Sequence, residues 1–476
     1  MKSSRHWLRV LVRGVLSLAL RIYYRSIQVQ GRELVPEQGP VLLVANHPNS
    51  LLDPAILVHL LPRTIRFGAK HTLFSGPLKS ILDAFGAIPL VRAQDDRRAM
   101  RRNLAALDRY ASLLGQHHMT AIFPEGVSQD DPHLAPIKTG AARIAFKAES
   151  AAEFRLGLQV LPVGLQFEPR RRFRADAFVR FGKPFGISDL AASYAENHRQ
   201  AVRGLTSRIN DNLKTLSFHV ESVEEVPFVE RIVEVYLYRI RKIGLTGVNR
   251  KGIRGELLQK VADCLNHYAV VDPPAVAQIE RLLRRYERLR EKAGVSRRLL
   301  EEPSGLLPGP LAPIQAALEV ILGLLPALFG VFTGALPYCV TKTVARYVTR
   351  RQKHLPALSF THILAGSIAF PLAYGLQIWW VLQGFSELAT IAFAVTLVPS
   401  GLFALFYVHR LRKLAVHLGG RAASWMKLSA VARVADARDE LLAGLDRMRD
   451  RYRVEVLGWA PLSPPRLFRR VGPRTE

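Results

Sequence analysis

The chain is poor in cysteine, with two residues, Cys264 and Cys339, among 476. Two cysteines so far apart exclude a disulfide framework beyond one bridge, and neither stands in a metal-ligand spacing. They read as packing thiols in a reducing compartment. Acidic residues are scarce too, 39 against 67 lysines and arginines. The resulting formal charge of +28 suits nucleic acid, an anionic bilayer surface or acidic small molecules as partners. No G-x-S-x-G is present, which leaves the chain without the serine elbow of a hydrolase. There is no internal repeat and no low-complexity tract. A cleavable leader is also missing from the reading: the apolar run in "MKSSRHWLRVLVRGVLSLALRIYY" is interrupted by Arg9, Arg13 and Arg21, and no small-residue cleavage site follows.

Hydrophobic residues make up 49% of the chain, enough for a core plus membrane segments, and the length suits two to four domains. Residues 1–28 predict an amphipathic membrane-associated helix. Arg5, Arg9, Arg13, Ser17 and Arg21 recur every four residues as one polar stripe, with Trp7, Leu11, Val15, Leu18 and Ile22 away from it. The competing reading is a surface helix packed on its own domain. Residues 29–218 alternate β-rich runs (40–46, 86–92, 119–126, 158–167, 177–185) with helical patterns at 97–117 and 140–150. That alternation predicts an α/β domain, a sheet flanked by helices. Residues 219–302 predict a charged helical region, and the Pro/Gly-rich stretch 303–313 marks a boundary.

The C-terminal third predicts transmembrane helices at 356–382 and 388–408, both free of Asp, Glu, Lys and Arg, followed by a basic helical cytosolic tail at 409–476. Basic stretches at 341–356 and 409–427 flank these spans, whereas 383–387 holds no Lys or Arg. The positive-inside rule puts both basic stretches in the cytoplasm. The apolar run 311–340, which contains Pro326 and Pro337, then starts and ends on one side. A re-entrant or in-plane pair of short helices, broken near Pro326, is the expectation there.

The segment "VLLVANHPNSLLDPAIL" (41–57) places His47 at the mouth of an apolar strand and Asp53 at the start of the next helix. Asp53 is expected as the N-cap, with Pro54 at the first helical position. Taken alone the pair says little, because a histidine near a strand end is commonly structural. Other strand ends add Glu125 in "FPEG" (123–126), Arg92 in "IPLVR" (88–92) and Pro162 in "VLPVG" (160–164). In an open α/β sheet, residues at strand ends along one edge collect into one site. A base, an orienting carboxylate, a second carboxylate and a guanidinium suit attack by a hydroxyl on an activated acyl group, with a phosphate held nearby. Arg92 can grip that phosphate bidentately, and its plain alternative is an ion pair with Asp95 or Asp96. His71, His117, His118 and His133 read as surface-loop residues.

The order Asn46-His47…Asp53, Gly86…Arg92, Phe123-Pro124-Glu125-Gly126, then Pro162 resembles the four blocks of the glycerolipid acyltransferases, over roughly residues 25–215. Five residues separate His47 from Asp53, one more than in the commoner members. With "ALPYCVTK" (335–342) ahead of the membrane segments, the chain is similar to the branch of the fungal glycerol-3-phosphate/dihydroxyacetone-phosphate acyltransferases. The resemblance implies an integral membrane enzyme of phospholipid biosynthesis. In a bacterial cell it would occupy the inner membrane with its catalytic domain on the cytoplasmic face. His47 is then the general base, Asp53 holds the ring tautomer, and Glu125 orders the acceptor or Arg92. Asn46, Asn49, Lys70, Arg92, Phe123, Pro124, Gly126, Lys138 and Pro162 line the substrates by the same resemblance. A backbone N–H near the start of the 53–60 helix or in the Glu125-Gly126 turn is expected to hold the oxyanion. The implied partners are a phosphorylated glycerol-type acceptor, an acyl thioester donor (acyl-CoA or acyl carrier protein) and an anionic phospholipid bilayer. No cofactor, no metal and no nucleic acid are expected. A lysophosphatidate or lysophospholipid acyltransferase is the alternative within this chemistry. A basic, non-catalytic membrane- or nucleic-acid-binding protein is the alternative outside it, and no nucleic-acid motif supports the latter.

Overall fold

The computed structural model describes residues 2–75, 79–91, 101–128, 134–168, 173–217, 225–243, 253–294, 311–352, 358–425 and 428–459. Arg92 lies outside them. Among the described residues seven strands are formed: β1 (Ser26–Gln30), β2 (Val41–Ala45), β3 (Ile65–Lys70), β4 (Ile88–Leu90), β5 (Met119–Ile122), β6 (Gln159–Glu168) and β7 (Asp176–Phe181). They make one sheet in the order β1-β7-β6-β2-β5-β3-β4. β6, β2, β5, β3 and β4 are mutually parallel; β7 turns back antiparallel to β6, with β1 parallel to β7. β2 lies at the centre and is buried along its whole length, which is why it reads as an unbroken apolar run.

Alternation along β2 sorts its side chains between two cores. Val41, Leu43 and Ala45 pack with Leu20, Tyr23 and Tyr24 of the N-terminal segment and with Leu52, Ile56 and Leu57. Leu42 and Val44 pack on the other face with Tyr110, Leu113, Phe146 and Leu205. The first face is covered by α1 (Lys2–Tyr23) and α2 (Leu52–Leu60); α3 (Lys79–Phe85) packs against α1. The second face is covered by α4 (Arg101–Gly115), α5 (Gly140–Ser150) and, after the short α6 (Ala191–Glu196), α7 (His198–Leu216). Each fully buried aliphatic or aromatic side chain in these cores stabilises the fold by about 1.5–3 kcal/mol. The expected α/β architecture is present, and β1 and β3 are added to the strands legible in the sequence.

α1 is turned in an unusual way. Its polar stripe faces the protein: Arg13 donates to the carbonyls of Leu61 and Pro62 at the end of α2, and Ser17 Oγ bonds His59 Nδ1 at 2.8 Å. Trp7, Leu11, Val15, Leu18 and Ile22 are exposed, Trp7 to 64%.

The remaining helices are α8 (Val226–Ile243), α9 (Ile253–Val271), α10 (Pro273–Ala293), α11 (Leu311–Gln352), α12 (Leu358–Gly384), α13 (Glu387–Trp425) and α14 (Leu428–Glu455). The chain divides into two compact units: Met1–Val223 with Gly247–Gln259 and Leu318–Val408, and Glu224–Thr246 with Lys260–Ala317 and His409–Glu476. In the second unit α10 lies along α14, with Arg285 to Glu440 at 2.7 Å and Arg451 to Asp272 at 2.9 Å. In the first unit, α12 and α13 form a hairpin in which Tyr374 Oη donates to the Leu397 carbonyl at 3.5 Å.

Three helices among the described residues are long and apolar enough to cross a membrane: Ile314–Val348, Phe360–Gly384 and Glu387–Arg412. The expected break near Pro326 does not occur. α11 runs on through Pro326 and Pro337 as one helix of 42 residues. Proline inside an apolar helix removes one backbone bond that neighbouring helices and Thr hydroxyls can compensate. Here Gln377 of α12 donates to the Thr333 carbonyl at 3.0 Å, and Thr341 Oγ1 bonds the Pro337 carbonyl at 2.7 Å.

Candidate active site

The chain leaves β2 into a loop that ends in α2, and the loop is closed by its own side chains. His47 Nδ1 lies 2.8 Å from Asp53 Oδ2, and the same oxygen accepts the Asn49 N–H at 2.8 Å. Asp53 is fully buried. An ionised Asp53 accepts, so Nδ1 carries the ring proton and Nε2 carries the lone pair. Phe123 stacks on the imidazole with centroids 4.2 Å apart and fixes its plane. The N-cap of α2 is Leu51, not Asp53 as expected. Asp53 sits in the first helical turn, where its carboxylate reaches back to His47 and Asn49 instead of capping the helix. The five-residue spacing is absorbed by Ser50, which adopts a left-handed φ of 52°. Ser50 N–H donates to Ser128 Oγ at 2.9 Å.

Glu125 follows β5, the neighbour of β2, and is 3% exposed. Its Oε1 accepts the His47 N–H at 2.7 Å and its Oε2 the Ala135 N–H at 3.3 Å. Burial pushes its pKa up; the His47 and Ala135 amides and the His47 ring partly oppose that rise. Glu125 therefore locks the histidine backbone onto the next strand. Gly126 needs its φ of 71°, and a Cβ there would come within 2.7 Å of Lys138 Nζ, so the exposed lysine lies across the turn. The Pro124 carbonyl accepts the Lys138 N–H at 2.8 Å, which pins that lysine to the block.

Other expected ligands take different parts. Asn46 donates Nδ2 to the Leu165 carbonyl at 2.9 Å and accepts the Leu165 N–H at 2.7 Å. Its amide continues the β2–β6 ladder by one rung and straps the loop to β6. Asn49 is buried and donates to Tyr24 Oη at 3.3 Å, so it positions the loop. Burial, with Tyr23 and Asp53 nearby, holds the Tyr24 phenol well above its ordinary pKa, hence neutral. Pro162 lies inside β6 and not at its end. It is buried opposite Val44, where β7 has turned away into Gly182, so its missing N–H breaks no ladder bond with β7. Lys70 ends β3 on the same sheet edge as His47. In the two segments expected to offer an oxyanion donor, the amides of Asp53 and Gly126 already bond the carbonyls of Ser50 and Phe123 at 3.2 and 3.1 Å. Tyr24 and Ser128 were not anticipated. Ser128 stands three residues past Glu125, a hydroxyl close to that block in sequence. Among the described residues no cluster of His, Cys, Asp and Glu is arranged to hold a metal ion.

Residues 26–166 match the family model described as "Acyltransferase". The chain is 24% identical over 312 residues to an uncharacterized acyltransferase of Schizosaccharomyces pombe, covering 47% of this chain and 46% of that protein. It is 23% identical over 325 residues to glycerol-3-phosphate O-acyltransferase 1 of Saccharomyces cerevisiae, covering 49% and 43%. It is 29% identical over 139 residues to a probable 1-acyl-sn-glycerol-3-phosphate acyltransferase of Mycoplasma pneumoniae, covering 28% and 50%. The chain thus spans less than half the length of the two fungal relatives.

Proposed function

We propose that this chain, which carries an acyltransferase-family domain of the glycerolipid branch at residues 26–166, transfers a fatty acyl group from a thioester to a hydroxyl of glycerol 3-phosphate. The observation that carries the reading is the 2.8 Å contact between His47 Nδ1 and the buried Asp53 carboxylate. It leaves Nε2 as the base. Nε2 takes the proton of the acceptor hydroxyl while that oxygen bonds to the thioester carbonyl carbon. The tetrahedral intermediate collapses with cleavage of the C–S bond, and the imidazolium returns the proton to the departing thiolate. Asp53 stabilises the imidazolium between these two transfers, as the acid of a triad does. No covalent enzyme intermediate forms, because the substrate hydroxyl is itself the nucleophile.

Lys138 across the Gly126 turn and Lys70 at the end of β3 supply cations for the acceptor phosphate. Arg92 joins them on the sequence reading. The donor is acyl-CoA or acyl carrier protein, both cytoplasmic, so we place the catalytic domain on the cytoplasmic face of the membrane, the inner membrane in a bacterial cell. The outward apolar stripe of α1 supports that placement, since a helix that turns its arginines inward and its leucines outward suits a headgroup–acyl boundary. The test is to incubate the detergent-purified chain with labelled acyl-CoA and, in parallel, glycerol 3-phosphate, dihydroxyacetone phosphate and 1-acylglycerol 3-phosphate. Glycerol 3-phosphate is expected to give labelled lysophosphatidate. Label appearing only with the acylated acceptor moves the function to the second step of the same pathway chemistry, and label on none of them removes the reading.

A further inference from the structure

Tyr24 stands between the outward-facing helix and the loop that holds His47. It is the first residue after α1, and its N–H closes the helix on the Leu20 carbonyl at 2.9 Å. The chain on either side is tied down as well. The Tyr23 carbonyl accepts the Arg174 N–H at 2.7 Å, and the Arg25 N–H donates to the Ala175 carbonyl at 2.8 Å. The Tyr24 ring is buried, stacked on Phe167 of β6 with centroids 5.6 Å apart and edge-on to Tyr23 at 5.1 Å. Leu52 and Ile56 of α2 share that core, and Phe360 and Ile363 at the start of α12 pack against it. Main chain and ring together leave the hydroxyl one place to point.

That hydroxyl accepts from Asn49 Nδ2 at 3.3 Å, and Asn49 is itself buried. The Asn49 N–H donates to Asp53 Oδ2 at 2.8 Å, the oxygen that faces His47 Nδ1. Three contacts in series thus join the end of α1 to the imidazole, and in a buried network each bond narrows the freedom of the next. α1 also holds the far end of α2 through Arg13 and Ser17, so Tyr24 is its contact at the end that carries Asp53. We propose that Tyr24 is a positioning residue for the acyl transfer, acting through Asn49 to fix the Asp53 carboxylate and thereby the His47 tautomer. The proposal rests on the reading of His47 as the base. Phenylalanine at position 24 would fill the same space and stack in the same way. It would take this acceptor from a buried amide, which frees the loop to relax toward other partners.

Tyr24→Phe, Asn49→Ala and the double variant of the full chain in detergent are assayed with labelled acyl-CoA and glycerol 3-phosphate. The control is Tyr110→Phe, which removes a buried tyrosine hydroxyl bonded to the Ala121 carbonyl on the other side of the sheet. Tyr24→Phe should lower kcat by about tenfold to a hundredfold, as small misplacements of reacting groups do. Its KM for glycerol 3-phosphate should stay within about twofold of wild type, because Tyr24 acts on the base and not on the bound acceptor. Asn49→Ala should behave alike, and the double variant should lose no more than the worse single, since both cut one contact. Tyr110→Phe should lose stability and keep its kcat. A second readout needs no substrate: 15N-histidine NMR, with the His47 signals identified by their loss in His47→Ala. The Nδ1-protonated ring of the wild type should give way in part to the Nε2-protonated one in Tyr24→Phe. If the wild type transfers no acyl group, the proposed function is lost and this spectrum still decides the part of Tyr24. If Tyr24→Phe does not fold, both readouts on Asn49→Ala decide from the other side of the contact. An unchanged kcat, an unchanged His47 spectrum, additive losses in the double variant or an equal loss of kcat in Tyr110→Phe would overturn the proposal.

Discussion

At the residue scale, the site depends on which atom each polar group bonds. Asp53→Asn preserves the shape but presents an amide to the His47 ring and the Asn49 N–H, both of which bond the present carboxylate. The wrong tautomer is then favoured, and by analogy with triad acids the acyl-transfer rate should fall on the order of a thousandfold or more. Initial rates beside melting curves measure it; a loss of less than tenfold would show that the carboxylate is not orienting the ring. Glu125 offers a test by pH. Its folded pKa is raised above the ordinary value of 4.5, so the stability it allows is fully present below that value. That stability is lost as pH rises through the raised one. Melting temperature should therefore decline over that window in the wild type and lose this decline in Glu125→Gln. The same slope in both proteins would contradict the buried-carboxyl account.

The residues we propose for the chemistry, His47, Asp53 and Glu125, were legible as candidates because each stands at a strand end or helix start in a recognisable block. The parts played by Asn46, Asn49 and Tyr24 were not. An asparagine that imitates a strand rung, or a tyrosine whose hydroxyl meets a loop 25 residues away, leaves no local pattern in the chain.

At the element scale, the central strands were readable as apolar runs, and β1 and β3 were not. "SIQVQ" and "IRFGAK" mix polar and charged residues with apolar ones, and their pairing is supplied by β7 and β5. The periodicity of α1 gave its two stripes but not which of them faces inward; that is settled by Arg13 and Ser17 meeting the end of α2. A bilayer should therefore contact Val15 and not Arg13. In reconstituted vesicles, a nitroxide at position 15 is expected to be more accessible to oxygen than to a polar nickel reagent, and one at 13 shielded from both. A label at 15 that sees the nickel reagent as freely as an aqueous site would favour a purely solvated helix.

At the scale of the whole molecule, crossings must match the packing of α10 on α14. These charged helices flank the apolar ones in sequence and lie side by side within one unit; with both on one side of a bilayer, the topology we propose has an even number of crossings between them. The α12–α13 hairpin accounts for two. On that proposed topology α11 enters and leaves on one side, which a helix of 42 residues does only by bending. Its contacts agree with that disposition: Gly323 and Gly330 meet Tyr407 and Ser400 of α13, while Thr333 and Thr341 meet Gln377 and Gly366 of α12, so its halves run against oppositely directed arms. In a background with Cys264 and Cys339 replaced by serine, a cysteine at 385 should react with an impermeant reagent from outside and one at 347 should not. The reverse pattern would contradict this topology. The +28 charge suits the same proposed topology, in which the positive-inside rule assigns the basic stretches beside the spans to the cytoplasmic side.

The claim on which the account rests is that His47 removes the acceptor proton. The direct measurement is the initial rate of acyl transfer from labelled acyl-CoA to glycerol 3-phosphate by wild type and His47→Ala, with melting curves recorded on the same samples. Loss of rate by about a thousandfold or more, with melting unchanged to within a few degrees, is the predicted result. A His47→Ala protein that melts normally and retains a tenth of the wild-type rate would contradict it.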